Sequence, residues 1–222
     1  MHLSFTEENY LKAIYKLMEV GIPKITTNSI ASIVETAPAS VTDMLQKLAE
    51  KKLVNYERYQ GVSLTGQGRK SAISVIRKHR LWELFLTEKL GFNWDEVHEI
   101  AEQLEHIQSE SLVRKLDEFL GKPKFDPHGD PIPDEQGNFH PQKSLPLSNA
   151  SAGDKLKVSG VMDHKPDFLK YLEKIGLLPG IKIQVKEITD YDQSMTIAVG
   201  AARQLRQISN EVCKNLLVTP LK

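Results

Sequence analysis

The residues best suited to chemistry lie in an acidic segment of the chain. His98, Glu102, Glu105 and His106 follow one another at spacings of four, three and one residue. On a helix, at ~100° per residue, these four side chains fall within about 100° of arc. Two imidazoles and two carboxylates beside apolar neighbours are costly to bury unless a cation compensates them. His and carboxylate ligands suit divalent iron, manganese, zinc or cobalt.

A second His/Glu pair supports metal binding. His79 and Glu83 are one helical turn apart, and both groups fall within 28 residues of sequence. A lone Glu-x-x-Glu-His is more often a solvated acidic face than a metal site, but the co-occurrence favours metal. The chain has no His-Glu-x-x-His, no Gly-x-Ser-x-Gly and no phosphate-binding Gly-x-x-x-x-Gly-Lys. These absences argue against the common hydrolase and nucleotide-binding chemistries.

Composition restricts the class of protein. The chain has 222 residues, 40% of them hydrophobic, and a formal net charge of zero, which excludes nucleic-acid binding by bulk charge but not by a local patch. No apolar run approaches the roughly 20 residues of a membrane helix. The single cysteine, Cys213, cannot form an internal disulfide. With no signal-peptide pattern, we expect a cytoplasmic protein without a membrane segment.

The first third of the chain predicts a DNA-binding fold. Apolar spacing predicts a helix over 6–20 with Thr6 as its N-cap, then helices over 28–34 and 39–51 joined by a short turn. Two β-strands around a Gly-containing turn follow over 53–64. A helix-turn-helix followed by such a hairpin is a winged helix.

The rest of the chain predicts three further helices, over 65–90, 95–109 and 110–120, and then a proline-rich connector. After residue 152 the periodicity becomes strand-like, with one helix over 166–175. The predicted strands cover 155–161, 182–188, 195–199, 204–208 and 216–220.

The predicted architecture is therefore mainly α with a small β domain. We expect a winged helix-turn-helix DNA-binding domain over 1–72 and a helical domain over 73–140 that carries the His/Glu cluster. A linker over 141–151 leads to a small β-barrel over 152–222.

The N-terminal turn of the third helix is the candidate DNA-reading surface. Hydroxyls at Ser40 and Thr42 can bond phosphates or bases, and the Ala39 methyl can contact thymine. Lys47, Arg58 and Tyr59 are candidate contacts to the DNA backbone. The alternative is that the winged helix mediates only protein contacts. The predicted DNA-binding set is Pro38, Ala39, Ser40, Thr42, Asp43, Lys47, Arg58 and Tyr59.

Several stretches together resemble one family. They are Glu8-Asn9-Tyr10-Leu11-Lys12, Arg77-Lys78-His79-Arg80-Leu81-Trp82-Glu83, Glu102-Gln103-Leu104-Glu105-His106 and Pro127-His128-Gly129-Asp130-Pro131. They resemble the diphtheria-toxin-repressor family of metal-dependent transcriptional regulators. The run Tyr171-Leu172-Glu173-Lys174-Ile175-Gly176-Leu177-Leu178-Pro179-Gly180 is similar to the SH3-like FeoA domain of its long members.

The resemblance implies that 73–140 is a dimerisation and metal-binding domain and that 152–222 is an SH3-like β-barrel. It also implies a homodimer that binds double-stranded operator DNA when loaded with Mn²⁺ or Fe²⁺, with Zn²⁺, Co²⁺ or Ni²⁺ as possible substitutes in vitro. It implies a primary site and an ancillary site, with a further ligand from the connector and one from the third domain. The implied ligands are Asn9, Glu102, Glu105 and His106 for the primary site, His79, Glu83 and His98 for the ancillary site, His128 and Asp126 in the connector, and His164 or Asp167 in the third domain.

Two departures from the family pattern bear on the metal. Iron-responsive members have Cys or Met at the positions of Glu102 and Asn9, and hard oxygen ligands favour manganese. Some manganese members place a second carboxylate where this chain has Lys12, which argues against a two-metal primary cluster.

The sequence thus predicts a metal-activated, homodimeric DNA-binding repressor of metal-uptake genes, and no enzyme. Two alternatives remain open. One is a metallohydrolase that uses the His/Glu cluster, and the other is a metal-independent winged-helix scaffold.

Overall fold

The computed structural model describes residues 3–57, 60–141 and 143–221. The first elements are α1 (Phe5–Glu19), α2 (Thr27–Ile33), α3 (Pro38–Glu50), β1 (Val54–Glu57) and β2 (Gly61–Leu64). The strands β1 and β2 pair antiparallel, with Val54 opposite Leu64. The predicted winged helix is confirmed.

The start of α1 differs from the prediction. Ser4, not Thr6, is the N-cap, because its hydroxyl accepts the backbone N–H of Glu7 and the Glu7 carboxylate accepts that of Ser4. This reciprocal pair is a capping box, which satisfies two otherwise free donors. The sequence Ser4-Phe5-Thr6-Glu7 fits that motif, whereas Thr6 has Asn9 at the corresponding position.

The winged-helix core joins all three helices to the hairpin. Leu11 and Ile14 of α1 pack in one cluster with Leu45 of α3 and Val62 of β2. Gly68, in the first turn of the next helix, lies against the chain at Leu53, where an added Cβ would come within 1.9 Å of the Leu53 carbonyl oxygen. A side chain at residue 68 would therefore displace the start of that helix.

Three helices follow, α4 (Gly66–Leu90), α5 (Val97–Leu104) and α6 (Glu110–Phe119). The predicted helix over 95–109 is too long, because α5 ends at Leu104. Glu105 and His106 lie in the turn that follows. This turn buries both side chains.

The C-terminal part contains β3 (Leu145–Pro146), β4 (Lys155–Val161), α7 (Pro166–Ile175), β5 (Lys182–Ile188), β6 (Met195–Val199), β7 (Gln204–Ile208), α8 (Asn210–Asn215) and β8 (Leu216–Pro220). The six strands form one antiparallel sheet in the order β3-β8-β4-β5-β6-β7. The small β domain is confirmed. Its expected closure is not found, because β3 and β7 remain edge strands among the described residues.

The chain divides into two compact units. Unit 1 comprises Met1–His79, Glu102–Val113 and Pro133–Phe139, and unit 2 comprises Arg80–Ala101, Arg114–Ile132 and His140–Lys222. Each unit has one main apolar cluster, and Trp94 joins the sheet residues in that of unit 2. Among the described residues, every helix is too short or too polar to cross a bilayer.

Candidate metal centres and DNA-reading surface

The first group of possible ligands lies in unit 1. The side-chain ligand atoms of His79, Glu102 and Glu105 lie within 4.8 Å of one another. We call these residues, together with His106, centre 1. Glu105 is fully buried, and its Oε2 lies 2.7 Å from Nδ1 of His79. Because α5 ends at Leu104, the following turn directs Glu105 into the protein rather than along the helix surface.

His106 is oriented by a residue that the sequence analysis did not select. Its Nδ1 lies 2.6 Å from Oε2 of Glu8, and its Nε2 lies 3.8 Å from Oε1 of Glu105. The Phe5 ring stacks on the imidazole at 4.7 Å. A carboxylate on one imidazole nitrogen fixes the ring and leaves the other nitrogen for a metal. In the sequence, the only indication that Glu8 belongs to this cluster is that it lies one helical turn before Lys12.

Lys12 lies within the carboxylate pair. Its Nζ donates to Oε1 of Glu102 at 2.7 Å and to both oxygens of Glu105 at 2.6 and 2.8 Å. Lys12 is buried, so these contacts provide the positive charge that two close carboxylates need. Lys12 therefore contributes a cation, and not a ligand, to centre 1.

The side-chain amide of Asn9 gives a further, independent indication of a metal site. Its Oδ1 is buried and has no hydrogen-bond partner. Buried polar atoms are almost always paired, so an orphaned amide oxygen needs an explanation. Asn9 lies on the same face of α1 as Lys12, three residues away. Amide and carboxylate oxygens with imidazole nitrogens form a donor set that fits Mn²⁺ or Fe²⁺.

The second group of possible ligands lies in unit 2. Glu83, Asp126 and His128 are all buried, with ligand atoms within 4.8 Å of one another, and we call them centre 2. Nε2 of His128 donates to the Trp94 carbonyl at 2.7 Å, and its Nδ1 lies 3.6 Å from Oε2 of Glu83. The backbone contact directs Nδ1 towards the two carboxylates, as in a metal-binding histidine.

Charge is concentrated at centre 2. Burial alone would lower the pKa of His128, but the hydrogen bond and negative charge of Glu83 raise that pKa to about 9. Burial, with the negative charges of Asp130 and Glu83, raises the pKa of Asp126 well above its usual value. Clustered groups with strongly shifted pKa values are typical of functional sites.

A tight loop holds the connector residues of centre 2. Oδ1 of Asp126 accepts the backbone N–H groups of His128 and Asp130, both at 2.9 Å. Gly129 has φ +90°, and an added Cβ would lie 2.1 Å from the Ser159 carbonyl oxygen of β4. The Val161 N–H donates to the His128 carbonyl at 3.0 Å. The β domain therefore supports centre 2 by packing against its loop.

This packing gives a prediction for Gly129→Ala. We expect a loss of about 2–4 kcal/mol in the free energy of unfolding, because the methyl group overlaps β4 and L-residues disfavour this φ. Gly121→Ala is the matched control, since Gly121 has φ +76° with no atom within 4 Å of an added Cβ. Gly121→Ala should lower the free energy of unfolding by only about 1 kcal/mol. Equal losses in urea denaturation would show that the contact with β4 contributes nothing.

The other predicted metal ligands are distributed as follows. His98 is half-buried, with Nδ1 3.1 Å from Oε1 of Glu83 in unit 2. His79 belongs to unit 1, one turn before Glu83 on α4. His164 packs edge-on against His128 at 5.1 Å, and its Nε2 lies 3.7 Å from Oδ2 of Asp130.

His164 and Asp167 differ in their surroundings. Burial lowers the pKa of His164, and its buried Nε2 has no hydrogen-bond partner. Asp167 is exposed in the first turn of α7. Neither residue belongs to a three-ligand group among the described residues.

The candidate DNA-reading surface lies mainly in the first two turns of α3, and Lys47 adds a basic side chain in its last turn. Pro38, Ala39 and Ser40 are exposed, as are Asp43 and Lys47. Thr42 is half-buried, and its hydroxyl donates to the Pro38 carbonyl at 3.2 Å, so only its oxygen lone pairs remain for DNA. Arg58 and Tyr59 lie outside the described residues.

A winged helix joined to buried imidazole–carboxylate centres defines a metal-responsive DNA-binding protein. Three family models match the chain: "Iron dependent repressor, N-terminal DNA binding domain" over residues 2–62, "Iron dependent repressor, metal binding and dimerisation domain" over 65–134, and "FeoA domain" over 145–220. The chain belongs to this family of iron- or manganese-dependent transcriptional repressors.

Relatives and solved structures agree with this assignment. The iron-dependent repressor IdeR of Mycobacterium tuberculosis (strain H37Rv) is 28% identical over 193 residues, covering 82% of this chain and 84% of that protein. The Mycobacterium leprae IdeR is 37% identical over 128 residues, 58% of this chain, and the match spans about half (55%) of that relative's length.

The solved structures cover nearly the whole chain. A manganese-dependent transcriptional repressor in complex with manganese aligns with a TM-score of 0.85 at 32% identity, covering 97% of this chain and 100% of that one. The manganese-activated repressor ScaR, in its apo form, aligns with a TM-score of 0.74 at 34% identity, covering 96% and 99%.

The family confirms several predictions. The protein is a DNA-binding repressor with a dimerisation domain and a metal dependence on iron or manganese. The family consists of repressors and not enzymes, so the metallohydrolase alternative is excluded. The individual ligands and DNA contacts stay predictions.

Proposed function

We propose that Mn²⁺ or Fe²⁺ held at centre 1 activates this homodimer to bind operator DNA and repress metal-uptake genes in the cytoplasm. The observation that supports this is the position of centre 1. Side chains of α1, the first helix of the winged helix, meet Glu102, Glu105 and His106 of the metal-binding and dimerisation domain there. An event at this cluster therefore acts directly on the DNA-binding fold.

The ligand roles follow from the contacts. Glu102 and Glu105 would supply carboxylate oxygens, and His106 would supply Nε2 because Glu8 holds its Nδ1. Asn9 would supply the buried amide oxygen that has no partner. A bound divalent cation supplies charge compensation at these atoms. When Asn9 and the Glu102–His106 segment bind the same cation, α1 can no longer move freely relative to that segment.

DNA binding depends on this loss of freedom. Two recognition helices of a dimer fit successive half-sites only at a separation of about one helical turn of DNA or a multiple of it. Metal that binds the DNA-competent arrangement better than other arrangements shifts the population towards it. Centre 2, with Glu83, Asp126 and His128, would serve as the ancillary site that stabilises the same state.

The proposal is tested by selecting duplexes from a random library with the full-length protein, with Mn²⁺ or with a chelator. We expect enrichment of a two-fold symmetric sequence only with Mn²⁺. Enrichment of the same sequence in chelator would favour the metal-independent scaffold and refute metal activation.

A second prediction concerns metal preference. Mn²⁺ should activate DNA binding at least as well as Fe²⁺, because Glu102 offers hard oxygen. Glu102→Cys should shift the ranking towards Fe²⁺ and Co²⁺, since a thiolate is softer. Anaerobic DNA-binding titrations with each metal measure the ranking. Gln103→Cys, at an exposed neighbouring position, is the control. An unchanged ranking in Glu102→Cys would show that residue 102 does not set selectivity.

A further inference from the structure

Lys12 uses all of its hydrogen-bonding capacity within centre 1. An ammonium group has three N–H donors. The ammonium group of Lys12 donates one hydrogen bond to Glu102, at 2.7 Å, and two hydrogen bonds to Glu105, at 2.6 and 2.8 Å. Both oxygens of Glu105 are therefore engaged by the same ammonium group. A metal ion cannot take either oxygen without weakening at least one of these contacts.

The burial of the group makes this competition strong. Glu105 has no exposed surface, and the Lys12 side chain is 7% exposed. Charges in such surroundings interact more strongly than charges at the surface. Glu102, by contrast, is 35% exposed. The open side of the cluster is therefore the side of Glu102, where the flexible lysine side chain can leave while α1 stays folded.

We propose that Lys12 is an internal competitor of the metal: its ammonium neutralises Glu102 and Glu105 in the metal-free protein, must leave when a divalent ion binds, and limits centre 1 to one ion. This inference rests on the proposed metal role of centre 1. It adds that Lys12 sets the affinity of centre 1 for metal and the number of ions that the centre can hold. The competitor raises the metal concentration needed for activation. It also keeps the two carboxylates from repelling each other when no metal is present.

The capacity limit follows from charge and ligand number. Glu102 and Glu105 are the only carboxylates that contact Lys12 among the described residues. One divalent ion balances two carboxylates, and a second would need another negative ligand. Replacement of Lys12 by a carboxylate removes the competitor and supplies that ligand in one step.

The first experiment is calorimetric Mn²⁺ titration of full-length variants in a His128→Ala background, which removes a ligand of centre 2. Lys12→Met should bind Mn²⁺ at least about tenfold more tightly. Lys12→Glu should bind one more ion per subunit. Lys16→Met, at an exposed position one turn later on α1, should change the Kd less than about twofold. Equal affinity in Lys12→Met with no added ion in Lys12→Glu would overturn the proposal.

The second experiment uses the unmodified protein, in case the variants fold poorly. Reductive methylation with mass-spectrometric readout should label Lys12 slowly without metal and at least several-fold faster with Mn²⁺. Lys16 should be labelled quickly in both states. Continued protection of Lys12 in the Mn²⁺-loaded protein would overturn the proposal even if metal activates DNA binding. Failure of the unmodified protein to bind Mn²⁺ at all would instead refute the proposed function, and this inference with it.

Discussion

Glu105→Ala combined with His106→Ala is expected to abolish the metal dependence of DNA binding. The double variant removes the carboxylate that contacts both Lys12 and His79, and the imidazole held by Glu8. Allosteric coupling typically changes affinity by about 5- to 150-fold. We expect that factor to disappear, so that DNA affinity with Mn²⁺ falls to the metal-free value.

The control for this variant must separate loss of metal from loss of fold. Glu105 is fully buried, so its removal leaves Lys12 with Glu102 as its carboxylate partner at this centre. Dimer mass in solution and the thermal unfolding midpoint without metal should therefore be measured beside DNA binding. Gln103→Ala, on the exposed side of α5, should keep full metal dependence. A double variant that still requires Mn²⁺ for DNA binding would place the activating site elsewhere.

Ser40→Glu combined with Thr42→Glu should weaken DNA binding by about 100-fold or more. Ser40 is exposed in the first turn of α3, and a carboxylate there would meet phosphate oxygens at short range. Metal affinity measured without DNA should hardly change, because neither residue belongs to a metal centre. Weaker DNA binding with an unchanged metal affinity would distinguish the loss of a DNA contact from a general loss of structure.

The matched control adds the same charge elsewhere. Ser74→Glu combined with Gln207→Glu places two carboxylates at exposed positions of α4 and β7. Fluorescence anisotropy with a labelled duplex, at one fixed salt concentration, should give near-normal affinity for this control. Normal affinity of the Ser40→Glu and Thr42→Glu protein would locate the recognition surface outside α3.

The regular elements could be predicted from the sequence to a large extent. The strands β4 to β8 match their predicted bounds, because alternation of apolar and polar residues directly reports one buried face. The end of α5 could not be predicted in this way. Apolar spacing continues to Ile107, although the chain leaves the helix at Leu104 and turns Glu105 inward. Local spacing does not report which face a tertiary contact will bury.

The candidate site was predicted only in part. His98, Glu102, Glu105 and His106 were found from local spacing, but Asp126 and His128 lie more than 40 residues after Glu83 and entered only through the family resemblance. Glu8 was missed, because an acidic residue in the first turn of a helix also has an ordinary stabilising role. The three contacts of Lys12 join positions about 90 residues apart, which no periodicity reveals.

The most direct test of the account is operator binding by the full-length homodimer across a series of metals at buffered free concentration. The duplex is the sequence selected with Mn²⁺, and the series is chelator, Mn²⁺, anaerobic Fe²⁺, Co²⁺, Zn²⁺ and Ni²⁺. We predict weak binding in chelator, and binding tightened by about 5- to 150-fold with Mn²⁺ and Fe²⁺. The same Kd in chelator and in every metal would contradict the claim that centre 1 couples metal to DNA.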